Sequence, residues 1–67
     1  MIPPEARTWA LAAKIDAQRA LAMADVLEET DDDARFLNYT KQLVTTAAAL
    51  THAAHRMLKA LENGNAS

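Results

Sequence analysis

Two histidines, one tryptophan and two clusters of opposite charge are the residues whose types and spacing could do chemistry. His52 and His55 stand three apart, a spacing that on a helix brings two imidazoles to one metal ion. A third ligand would have to come from another chain, and the Glu-x-x-His pattern of di-iron bundles is absent. No metal site is therefore expected. His52 should project to a polar face and His55 should border an apolar flank with Val44, Ala48 and Leu58. Thr40, Thr45, Thr46 and Thr51 supply hydroxyls with no base that the sequence positions, and no nucleophile-base-orienter triad stands out. Gly64 is the only glycine, so no glycine loop cradles a phosphate. Neither an enzyme nor a cofactor is expected, and no residue is assigned as catalytic, cofactor-binding or metal-ligating.

Charge is more informative. Seven Lys and Arg against nine Asp and Glu give a net charge of -2, which argues against a general polyanion binder. Six of the acids, Asp25, Glu28, Glu29, Asp31, Asp32 and Asp33, crowd into nine residues. They read as helix caps and solubilising charge, or as a patch that steers a basic partner surface toward the chain. Beyond Ala34, a face of Arg35, Asn38, Lys41, Gln42, Thr45, His52, Arg56 and Lys59 reads first as solvated surface. Paired across a dimer, its Arg35, Lys41, Gln42, His52, Arg56 and Lys59 could form a ridge for RNA or DNA phosphates. The acidic cluster, the net charge and the lack of stacking aromatics disfavour that use. A third possibility is a small-ligand sponge in which Tyr39, Thr46, Thr51 and His55 line a polar pocket between subunits.

Helices must position all of these groups. Ala6, Ala10, Ala13, Ala17, Ala20 and Ala24 repeat at spacings of four and three, and Phe36, Thr40, Leu43, Ala47, Leu50 and Ala54 answer them in reverse. Each facing pair adds to 60, as two helices folded about residue 30 require. The chain is expected to be all-α, one domain spanning 1–67, built as an antiparallel two-helix hairpin with small residues against larger ones. Pro3 and Pro4 suit a helix start, so helix 1 should span about 4–28. Thr30 with Asp33 resembles a capping box, which puts a bend at about 29–31 and helix 2 at about 31–62. Gly64 suits the stop, leaving a frayed tail at 63–67.

A hairpin of 67 residues lies near the lower limit for a self-sufficient core, and without cysteine no disulfide can staple it. Oligomerisation is the remaining staple. Leu11, Ile15, Ala22 and Val26 lie away from the alanine seam, with Trp9, Met23 and Leu27 at one flank. Leu37, Val44, Ala48 and Leu58 flank helix 2, and Met57 and Leu61 should extend past the reach of helix 1. The oligomer or partner interface is therefore assigned to Trp9, Leu11, Ile15, Ala22, Val26, Leu37, Val44, Met57, Leu58 and Leu61. Trp9 should pack near Leu50 and Thr51 and close the open end. A homodimer forming a four-helix bundle is expected, together with an unidentified protein partner. The opening MIPPEAR has no leader pattern and no apolar run approaches a membrane span, so a cytoplasmic location is expected.

The length, the bend almost free of glycine and the alanine seam resemble Rop-type plasmid RNA regulators over residues 5–62. That resemblance is architectural and implies a hairpin homodimer that binds RNA. The chain is also similar to the small hairpin co-chaperones of secretion needle subunits, which bind proteins through an apolar face, and to hairpins among phage-encoded inhibitors of host proteins. Taken together these readings describe a small non-enzymatic interaction module: a regulator, inhibitor or adaptor.

Overall fold

The computed structural model describes residues 1–66, with side chains described through residue 63. Two helices, α1 (Pro4–Glu28) and α2 (Asp33–Ala66), are joined by residues 29–32. Glu5 meets Arg56, and Trp9 meets His52, so the helices run antiparallel. These pairs put the fold axis within a residue of the position that the alanine pattern gave.

The start of α1 follows from its prolines. Pro3 is extended (φ -60°, ψ 141°), and its carbonyl accepts from the Ala6 N–H at 3.1 Å. Pro4 occupies the first turn, where a missing N–H costs nothing. The bend departs from expectation in one detail. Thr30 does not open α2: its hydroxyl donates to the Val26 carbonyl at 2.7 Å, and its N–H to Leu27 at 3.3 Å, so it closes α1 instead. Asp32 is the cap of α2. Its Oδ2 accepts from the Arg35 N–H at 2.8 Å, and its carbonyl accepts from the Phe36 N–H at 2.9 Å. A short carboxylate satisfies the orphan donors of the first turn and also complements the helix dipole. Helix 2 therefore begins at Asp33, two residues later than expected.

Its far end also differs. The helix continues through Asn63 and Gly64 to Ala66, so residues 63–66 of the expected tail are helical. A glycine inside a helix costs only about 1 kcal/mol relative to alanine, too little to enforce a stop. Ser67, the last residue of that tail, lies outside the described residues.

The seam is rotated from the one the alanines suggested. On α1 the residues turned inward alternate three and four apart: Ala6, Trp9, Ala13, Asp16, Ala20, Met23, Leu27 and Thr30. On α2 they are Tyr39, Leu43, Thr46, Leu50, Ala53, Met57 and Ala60. Of the expected seam, Ala10 and Ala17 are exposed, as are Phe36, Ala47 and Ala54, while Ala24 and Thr40 are half-buried at its edge. Trp9, Met23 and Leu27, expected at a flank, take the seam because each buries far more apolar area than an alanine. Across from Trp9 an alanine makes the room: Ala53, at its level, is only 2% exposed. Met57 is half-buried and Ala60 buried, so α1 covers α2 further than expected. Met57 does not overhang; Leu61 is the first large apolar residue past the cover.

Burial in this hairpin is slight. Among the described residues only Ala6, Ala53 and Ala60 are buried, while Leu21, Val44, Leu11, Leu37 and Leu58 are each more than half exposed. The Cα radius of gyration is 15.5 Å, against about 11 Å for a compact chain of this length. The accessible surface is 5267 Å², against roughly 4,200 Å² for a compact monomer of this mass. No described helix is long and apolar enough to cross a membrane.

Candidate functional site

The three-four alternation fixes what lies on either side of the seam. In an antiparallel pair, the positions just after the second seam residue of each heptad (e, with b behind) share one flank, and those just before the first (g, with c behind) share the other. Taking Ala6, Ala13, Ala20 and Leu27 as the first seam residues of α1, and Leu43, Leu50 and Met57 as those of α2, gives two unlike flanks.

The first flank is apolar. Helix α2 contributes Leu37, Val44, Ala47, Ala54, Leu58 and Leu61 with Thr40 and Thr51, and no charged residue. Helix α1 contributes Ala10, Ala17, Leu21 and Ala24, bordered by Arg7, Lys14 and Glu28. The large members stay open: Leu21 is 65% exposed and Val44 64%. Leu21 had no part in the sequence reading, since Lys14 and Glu28, one heptad away on either side, make its column look polar.

The second flank is mixed. Glu5, Ala12, Ile15, Arg19, Ala22 and Val26 of α1 stand beside Arg35, Gln42, Ala49, His52, Arg56 and Lys59 of α2. At its open end the Trp9 indole meets the His52 ring edge-on, with centroids 5.6 Å apart at 85°. The Arg56 guanidinium lies 5.5 Å from the Trp9 ring centre and reaches Glu5 at 3.8 Å. Trp9 thus stands at the open end against His52 and Arg56. A guanidinium over an indole face is a cation–π contact, and the half-buried ring gives it a fixed platform. Midway, an open depression is lined by Arg19, Ala22, Met23, Val26, Gln42 and Thr46.

The ten residues assigned to an interface do not form one surface. Leu37, Val44, Leu58 and Leu61 share the apolar flank, while Ile15, Ala22 and Val26 lie on the mixed flank. Leu11 stands at the back of α1, 59% exposed, and Trp9 and Met57 belong to the seam.

The polar groups separate in the same way. Arg35, Gln42, Arg56 and Lys59 are exposed along the mixed flank with Lys41 behind them, but His52 and Arg56 are engaged with Trp9. Tyr39 lines a depression at the bend, Thr46 the midway one, and Thr51 and His55 a third on the outside of α2. One chain therefore does not gather the four residues of the expected ligand pocket. The hydroxyls of Thr40 and Thr45 donate to the carbonyls of Phe36 and Lys41 in their own helix. Among the described residues no group of three or more His, Cys, Asp or Glu could hold a metal ion. Glu28, Glu29, Asp31, Asp32 and Asp33 are all exposed at the bend, where Asp32 is used as the cap.

Compared with family models, curated proteins and solved structures, the chain matches none.

Proposed function

We propose that this chain is a small non-enzymatic interaction module that works as a homodimer of hairpins and regulates, inhibits or bridges a partner protein by covering its surface. The observation that carries this reading is the surplus of surface. The hairpin exposes about 1,100 Å² more than a compact monomer of its mass would, and Leu11, Leu21, Leu37, Val44 and Leu58 are each more than half exposed on it. A standard interface hides about 800 Å² on each partner, so one such contact removes most of the surplus. The two flanks divide the work: an apolar surface suits permanent association, whereas one with charges and an aromatic anchor suits an exchangeable partner.

Sedimentation equilibrium of the whole chain, run with affinity capture from lysate, tests the reading. The expected result is a mass near twice 7.3 kDa together with protein that is captured specifically. A folded monomer that captures nothing contradicts it. Capture of RNA that disappears steeply as salt rises would instead favour use of the basic residues of α2 on phosphates.

A further inference from the structure

We infer that the apolar flank is closed by a second copy of this chain, stacked with its bend at the opposite end. The inference rests on the homodimer reading above and adds which face is used, what covers it and in which direction.

Length and area come first. The flank runs along all 25 residues of α1, about 37 Å, and across two helices each about 10 Å wide. That is roughly 750 Å² per copy, close to the 800 Å² or so that a stable complex buries on each side. The flank is also free of charge where it counts, since α2 supplies no charged residue to it and the ionic groups of α1 stay at the border. A second copy presents the same surface, and a two-fold axis in the plane of contact makes that surface its own partner.

Charge decides the direction. If both bends lay at one end, two clusters of six acids would stand side by side, and like charges facing each other across an interface are costly. With the ends reversed, each acidic bend lies instead beside the other copy's open end, where Arg7 borders the apolar flank and Arg56 and Lys59, on the mixed flank, stand against Glu5 and Glu62, so the facing clusters of acids are avoided. Reversed stacking sets α1 against α1 and α2 against α2, both antiparallel. The α1 pair then meets through Ala10, Ala17 and Ala24, whose small side chains allow close approach, while Leu37, Val44 and Leu58 fill the wider α2 side. Ala17, at the middle of α1, lies next to the axis.

Two measurements on the full chain test this. In sedimentation, Val44→Glu should weaken the dimer about a hundredfold or more, because a carboxylate would be buried without a partner. Ile15→Glu, on the mixed flank, should leave the mass doubled. Because the wild type has no cysteine, a single introduced thiol reports direction: Ala17→Cys should form a disulfide-linked dimer with itself on mild oxidation. A wild-type monomer overturns the homodimer reading as well. A wild-type dimer that survives Val44→Glu but dissociates with Ile15→Glu overturns only the choice of face. Ala17→Cys linking to Val44→Cys in a mixture, but not to itself, overturns only the direction.

Discussion

The two flanks of this hairpin are cut from the same pair of helices and differ in what the residues beside the seam are. On the apolar flank those places hold alanine, valine and leucine with two threonines, and Arg7, Lys14 and Glu28 keep to its α1 border; on the mixed flank Glu5, Arg19, Arg35, Gln42 and Arg56 are interleaved with Ala12, Val26 and Ala49. Backbone geometry is the same for both. What separates them is the cost of dehydration, which is negligible for an alanine or leucine and large for an unpaired guanidinium. A permanent contact forms where burial is cheap, and a reversible one where charge sets orientation and rate.

The comparison can be broken from its common root. Leu50→Ala removes a large residue from the seam that supports both flanks, and should destabilise the chain by about 2 kcal/mol, read in denaturant unfolding. Loss of similar size from Ala47→Gly would show that the seam is not where stability lies. Next in size, Trp9→Ala should cost about 1.5 kcal/mol through lost packing and the lost guanidinium contact, while leaving self-association intact. Trp9→Phe should recover part of this. A dimer lost with Trp9→Ala would join the two flanks in one function. Asp32→Ala removes the cap of α2 and should cost about 1 kcal/mol without favouring either flank, whereas Thr30→Val should cost less.

The smaller effects sharpen the comparison. Asp16 is a half-buried carboxylate within the seam, and replacing it with alanine should stabilise the chain by about 0.5 kcal/mol, since alanine is the better helix former. Loss of a single oligomeric state in Asp16→Ala would show that the charge fixes register. Glu5→Gln breaks an ion pair whose side chains are 62% and 43% exposed, and should change stability by only a few tenths of a kcal/mol.

Much of the fold was legible because antiparallel helices leave a signature along the chain. The prolines at the start of α1 and the mirrored spacing about residue 30 gave the hairpin, its first helix and its register. The rotation of the seam was not legible, because the alanines satisfy either of two adjoining stripes and only the bulk of Trp9, Met23 and Leu27 decides between them. The bend misled for a related reason. Thr30, Asp31, Asp32 and Asp33 are all good caps, and which one acts depends on where α1 lets go. The contact of Trp9 with His52 lay one residue beyond the same pairing rule, which places residue 9 beside residue 51. Leu21 stayed hidden, since its exposure has meaning only once the flank it shares with Val44 is assembled.

The central claim is that this hairpin is half of a folded unit, and the most direct test is its thermal midpoint as a function of concentration, followed by circular dichroism. A homodimer closed through the apolar flank gives a midpoint that climbs by several degrees over roughly a hundredfold rise in concentration, because mass action favours the associated, folded form. A cooperative transition with the same midpoint at every concentration would contradict it, and would mean that one copy is stable with its leucines in water.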